Sequence, residues 1–309
     1  MIQVNGLRKS FGSMAAVDGV KFRVDAGEVY GLLGPNGAGK TTTISMLCGL
    51  LHPDGGEILI NGNDPWGSPD EVRRTMSVVP QDLAVYEDLT AKENLEFWGK
   101  LYDLSGAPLS RRVDEVLETI GLKDRACTRV STYSGGMKRR LNLGMALIPN
   151  PKVLLLDEPT VGIDPQARLR ILELVKSLAA DGVAVLYTTH YMEEAQDICD
   201  RIGIMDGGKI LATGTLEELT RLVGEGDLVT LRGEFTPDDL NTYLKQGPGL
   251  KIIRAEKGFA LLSLDRAAAK MSQFLEELYG SSLKIQDLSI KPPTLQDVFI
   301  KLTGREFRN

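Results

Sequence analysis

Residues 27–47, GEVYGLLGPNGAGKTTTISML, hold the pattern G-x-x-x-x-G-K-[ST] at Gly34, Gly39, Lys40 and Thr41. Glu28–Leu33 is a short apolar run of strand character, and from Thr41 to Leu50 the apolar positions Ile44, Leu47 and Cys48 recur at helical spacing. The loop therefore joins a buried strand to a helix. Glycines let the backbone bend around phosphates, Lys40 reaches the terminal phosphates, and the Thr41 hydroxyl is placed to ligate magnesium. Such a loop predicts an α/β domain with a phosphate cradle at the end of a parallel strand.

Further along, Val153-Leu154-Leu155-Leu156-Asp157-Glu158-Pro159 is a second buried strand that ends in two carboxylates and is stopped by a proline. Beside a phosphate loop, Asp157 would hold magnesium through water and Glu158 would polarise an attacking water. About twenty residues earlier stands Tyr133-Ser134-Gly135-Gly136-Met137. A serine and a glycine pair at a helix start free backbone N–H groups that attract phosphate, so this is a second half-site in a chain that already has a cradle. The Lys138-Arg139-Arg140 run after it is expected to be a solvated helix face.

The 309 residues allow a large domain and a smaller one, and a hydrophobic fraction of 42% is that of an ordinary globular chain. A formal charge of −6 and a pI near 5.2 argue against electrostatic wrapping of nucleic acid, and no nucleic-acid partner is expected. The N-terminus shows no secretory leader, which predicts a cytoplasmic protein, and the longest apolar runs are too short to span a bilayer. Cys48, Cys127 and Cys199 are widely spaced and are expected to be reduced core residues.

From residue 1 to 223, strand-like and helical stretches alternate, giving an α/β domain with a largely parallel central sheet and a helical subdomain over about 84–150. Thr90-Ala91-Lys92-Glu93 is a capping box, and Asp164-Pro165 is an N-cap followed by a first-turn proline. Gly224-Glu225-Gly226-Asp227 is expected to be a linker to a small α+β domain over 227–309. There Asp227–Arg232, a hairpin over Leu250–Leu264 turning at Lys257-Gly258, and Leu283–Leu288 supply strands. Helices are expected from Thr236, over Ala267–Tyr279 and over Thr294–Ile300, an order compatible with a split βαβ, ferredoxin-like module.

Taken in order, these motifs resemble the ATP-hydrolysing subunit of an ABC transporter, a P-loop NTPase fold. The resemblance implies an ATP site over Gly34, Pro35, Asn36, Gly37, Ala38, Gly39, Lys40, Thr41 and Thr42, with Phe11 stacking on adenine. It implies a magnesium ion held by Thr41, Gln81 and Asp157, catalytic roles for Lys40, Gln81, Glu158 and the switch histidine His190, and a dimer loop at Asp164. Ser134, Gly135 and Gly136 would act in trans, completing the nucleotide site of a second copy in a homodimer. Their helix lies in a subdomain inserted between Gln81 and Asp157, too far from the chain's own Lys40. Departures from the family pattern are Tyr133 for leucine, Met137 for glutamine and Phe11 for tyrosine. The motif variant and Pro293–Phe299 are similar to bacterial drug and lipid exporters whose membrane subunit is a separate chain, which implies a place on the cytoplasmic face of the membrane. Residues 83–101, with Tyr86 and Glu87, are either the contact surface for that partner or a packed helix with a solvated loop. The alternative function is a soluble ATPase of the same type acting on ribosomes or DNA; another is a non-enzymatic regulatory module whose C-terminal domain binds a small ligand, and on an active ATPase that domain would be regulatory or dimer-stabilising.

Overall fold

A computed structural model describes residues 1–223, 226–244, 250–264, 274–276, 278, 280, 281 and 283–304. The chain divides into two compact units, the first spanning Met1–Thr213 and the second beginning at Gly214.

The first unit is built on a six-stranded sheet of order β5-β6-β7-β3-β8-β9. Its strands are β3 (Val29–Leu33), β5 (Met76–Val79), β6 (Val153–Asp157), β7 (Ala184–Thr189), β8 (Arg201–Asp206) and β9 (Lys209–Gly214). The pairs β5–β6, β6–β7, β7–β3 and β3–β8 are parallel. Every residue of β3, β6 and β7 is buried, as expected for parallel strands covered on both faces. Alternation along the strands separates two cores. Leu154 and Leu156 of β6 with Val185 and Tyr187 of β7 join one, whereas Val153, Leu155, Ala184 and Leu186 join the other.

The second of these cores is closed by α1 (Lys40–Leu47), α2 (Pro69–Thr75) and an antiparallel sheet of β2 (Met14–Val24), β1 (Ile2–Phe11) and β4 (Gly55–Ile60). The first is closed by α3 (Ala91–Leu101), α4 (Gly106–Thr119) and α5 (Gly135–Leu147), which lie between β5 and β6 in sequence, together with α6 (Pro165–Ala180). The expected capping box forms at Thr90 and Glu93, and Asp164 caps α6 by accepting the Ala167 amide. The helix α5 is buried almost all round, from Gly136 and Arg139 to Leu147, which is what an enclosed rather than a surface helix shows.

That enclosure overturns the expected solvated face at 138–140. Arg139 is buried, Arg140 is half-buried and donates to the carbonyls of Ile120 and Gly121, and Lys138 pairs with Glu87 at 2.6 Å. The cysteine expectation also fails in part, since Cys127 is exposed. The 3₁₀ turn Lys123–Arg125 and the bond from the Thr128 amide to the Arg125 carbonyl tighten the chain there and leave that side chain outside.

In the second unit, α8 (Leu216–Arg221) packs with α10 (Leu295–Thr303), so the unit starts ahead of the 224–227 segment expected as the linker. Gly224 and Glu225 lie outside the described residues, as does most of the helix expected over Ala267–Tyr279. Four antiparallel strands, β10 (Asp227–Glu234), β11 (Leu250–Glu256), β12 (Phe259–Leu264) and β13 (Lys284–Lys291), order as β13-β10-β12-β11. That is the fourth-first-third-second order of a split βαβ module, with α9 (Pro237–Tyr243) between its first two strands and the hairpin turning at Lys257 and Gly258. Among the described residues no helix is long and apolar enough to cross a membrane.

Candidate functional site

The C-terminal ends of β3, β6 and β7 meet at the phosphate loop, where open α/β sheets place their ligands. The bend requires glycine. Gly39 has φ +107°, and a Cβ there would lie 2.3 Å from the Ala16 carbonyl oxygen. Lys40 opens α1 and is 4% exposed. Its ammonium donates to the carbonyls of Gly34 at 2.7 Å and Pro35 at 3.1 Å, and lies 3.0 Å from Glu158 Oε1. The other Glu158 oxygen is 2.9 Å from His190 Nδ1. Glu158 is itself in the left-handed region at φ +46°, a conformation that disfavours a residue with a Cβ by about 1–2 kcal/mol. Its amide is held by the Thr188 carbonyl at 3.2 Å and hydroxyl at 3.1 Å, and Val161 donates back to its carbonyl. Strain held by such a frame is a mark of functional positions.

Asp157, one residue earlier, accepts from the Thr188 hydroxyl at 2.7 Å. Burial raises its carboxyl above the usual carboxylate range, while the hydroxyls of Thr188 and Thr41 pull it back down and Glu158 pushes it up again. Lys40, Thr41, Asp157, Glu158 and His190 are therefore brought together in one cluster. Among the described residues, Phe11, Gln81, Asp164 and Ser134–Gly136 make no hydrogen bond to it. Phe11 is half exposed at the turn between β1 and β2. Gln81 is exposed, and its carbonyl accepts from Arg139.

Ser134 caps α5 by accepting the Met137 amide at 3.3 Å, and Ser134 and Gly135 are exposed. The first amides of a helix lack intrahelical partners, so an exposed end of this kind attracts anions. Gly136 is required by packing, since a Cβ there would lie 2.3 Å from the Ala167 side chain. Tyr133, where the family has leucine, is buried in the first core and donates its hydroxyl to the Arg125 carbonyl at 2.7 Å. The Met137 side chain is partly buried against the same core. Both departures are thus packing solutions that leave the Ser-Gly-Gly centre intact.

Sequence reasoning missed Arg139. It donates to the carbonyls of Gln81 at 2.6 Å, Pro80 at 3.4 Å and Val161 at 3.3 Å, tying the helix of Ser134 to the segment after β5 and to the turn after Glu158. The available signal was spacing, because Arg139 shares a face with buried Asn142, Leu143 and Ala146. It also missed Glu194, on α7 (Met192–Ile198), a carboxylate 1% exposed.

Comparison with known proteins gives the same reading. Residues 17–161 match the family model "ABC transporter", and residues 214–303 match that of the DrrA1-3-like C-terminal domain of ATP-binding proteins. The chain is 42% identical to the linearmycin resistance ATP-binding protein LnrL of Bacillus subtilis, covering all of both chains. It is 39% identical to the daunorubicin/doxorubicin resistance ATP-binding protein DrrA of Streptomyces peucetius over 98% of this chain and 92% of that one. The Nod factor export ATP-binding protein I of Ralstonia nicotianae is also 39% identical, over 100% and 95%. Among solved structures, the ATP-binding subunit of an ABC transporter aligns with TM-score 0.66 at 34% identity, over 72% of this chain and 93% of that one. A dimeric post-hydrolysis ATP-binding cassette bound to ADP and Pi aligns with TM-score 0.62 at 26% identity, over 70% and 98%. The chain therefore belongs to the ABC transporter family, as an ATP-binding and ATP-hydrolysing subunit with a DrrA1-3-like C-terminal domain.

Proposed function

We propose that the chain drives export of a drug-like or lipid-like molecule through a separate membrane protein, from the cytoplasmic face, as a dimer that closes on ATP and reopens on hydrolysis. The single observation that carries the catalytic reading is Glu158, strained at φ +46° and set between Lys40 at 3.0 Å and His190 at 2.9 Å. The terminal phosphates of ATP compete for the Lys40 ammonium and draw it from Glu158. The freed carboxylate then accepts a proton from the attacking water, and His190 faces the terminal phosphate from the end of β7. Amides of residues 36–42 cradle the remaining phosphate oxygens, and Phe11 offers an exposed ring to the adenine.

The donor set at Thr41 and Asp157 fits magnesium. Among the described residues no group of three His, Cys, Asp or Glu could hold a metal, and magnesium needs none, since it keeps waters and takes phosphate oxygens beside one or two protein ligands. Thr41, Asp157 and, through its side chain, Gln81 would hold it, and it would supply neutralisation of charge on the transferred phosphoryl group.

The exposed Ser134 and Gly135 support a site completed across the dimer, as does the dimeric ADP-bound neighbour. The membrane contact falls on exposed Leu83, Tyr86, Phe97 and Leu101. Buried Asn94 pins this surface by bonding both the amide and the carbonyl of Tyr86, and the Tyr86 and Phe97 rings meet edge to face at 5.1 Å. The names of the relatives, for resistance to linearmycin and daunorubicin and for Nod factor export, support the direction of transport. Turnover by Glu158→Gln is the test. It falls by about 10²–10³-fold while ATP still binds, and unchanged turnover would remove Glu158 from the chemistry.

A further inference from the structure

Glu194 takes no part in the chemistry above, yet the hydroxyls around its buried carboxylate come from the turn after Glu158 and from β7, the strand that leads into His190. Oε1 accepts from the Thr160 hydroxyl at 2.6 Å, and Oε2 accepts from the hydroxyls of Tyr187 at 2.9 Å and Thr189 at 2.8 Å. The Arg168 guanidinium forms an ion pair with this carboxylate, its Nε 3.3 Å from Oε1 without a hydrogen bond. Thr160 stands two residues after Glu158, and Thr189 immediately precedes His190. The Thr189 hydroxyl also accepts the Tyr191 amide at 2.9 Å, so both flanks of His190 are fixed from this one carboxylate. On the other side, Arg168 sits one turn into α6, its amide bonded to the Asp164 carbonyl at 3.0 Å. Its guanidinium lies 4.5 Å over the Tyr191 ring, which in turn lies 4.1 Å from the His190 ring.

A carboxylate this deeply buried persists only when paired and fully hydrogen-bonded, and well-packed apolar residues would serve packing alone as well or better. What a carboxylate does here, and an apolar group cannot, is accept from the turn after Glu158 and from the strand before His190 at the same time. We propose that Glu194 is a positioning residue for hydrolysis, which fixes His190 against Glu158 and passes the placement of the Asp164 loop to that pair through Arg168. It touches neither nucleotide nor attacking water. The inference rests on the assigned roles of Glu158 and His190.

The test uses the full chain with magnesium and ATP, measuring kcat and KM with thermal unfolding as the report of folded protein. Glu194→Gln keeps shape but replaces an acceptor by a donor, and Thr160→Val removes one hydroxyl at constant volume. In both, kcat falls about tenfold or more while KM for ATP stays within about twofold, and Thr160→Ser, which restores the hydroxyl, recovers most of the loss. Unchanged kcat per folded molecule in Glu194→Gln and Thr160→Val, or a loss seen only in KM, overturns the proposal. Glu158→Gln and His190→Ala separate the two readings. If these keep turnover, the site assignment itself fails; if they lose it while the Glu194 and Thr160 variants do not, only the positioning role fails.

Discussion

Lys40, Glu158 and His190 are at most 9% exposed and interlocked by short bonds, whereas Ser134 and Gly135 stand exposed at the start of α5 with only their own helix to cap. In the proposed mechanism both regions meet phosphate, but by different physics. The first sets side-chain charges at the ends of parallel strands, where a low dielectric strengthens them. The second offers helix amides and a hydroxyl, with no acidic residue in its first turn. The contrast teaches that a phosphate half-site can be sealed and self-sufficient in charge, or open and dependent on what is brought to it. One chain carries one of each.

The largest expected effect falls on the sealed region alone. Glu158→Gln lowers turnover by about 10²–10³-fold yet leaves ATP-driven association through Ser134 in place, as a comparison of steady-state hydrolysis with solution mass shows. Next in size is Arg139→Met, which cuts the bridge between the two regions by removing donors to the Pro80, Gln81 and Val161 carbonyls. Losing charge-assisted bonds at a buried site costs about 2–3 kcal/mol, read as a lower urea midpoint, and turnover falls with it. Retained stability would mean that the two regions are not mechanically joined there.

A smaller and opposite effect is expected at Asp157. Because burial raises its carboxyl, the folded state binds this proton more tightly than the unfolded chain does, so stability falls as pH rises from the unfolded value through the folded one and is level above it. Asp157→Asn therefore raises Tm in magnesium-free buffer at pH 7 and leaves it unchanged below the unfolded pKa, while abolishing hydrolysis. A lower Tm at pH 7 would show that the carboxylate is held for stability rather than for the ion.

Most of the sealed region was legible because its parts are local in sequence: a loop with its strand and helix, and two carboxylates at a strand end; His190, 32 residues beyond Glu158, was named only through the family resemblance. The capping box at Thr90 and the helix starts at Thr236 and Thr294 were equally local, and the order of elements in the second unit was compatible with the four-stranded sheet that forms. Arg139 was not legible as buried because its acceptors are carbonyls 58 and 22 residues away, and a run of three basic residues looks like a solvated face until the whole helix is seen to be enclosed. Glu194 was missed for the same reason. It shares a helix face with Ile198, but its donors come from a turn and a strand brought together only by the sheet.

In the proposed dimer, Ser134-Gly135-Gly136 serves the nucleotide of a second copy. In Glu158→Gln protein, where bound ATP persists, light scattering with magnesium and ATP should show a rise from 33.7 kDa to twice that mass. Adding Ser134→Arg, which sets bulk and charge at the exposed end of α5, should hold the protein at the monomer mass with ATP still bound. A doubled mass in the Ser134→Arg background would contradict the shared site.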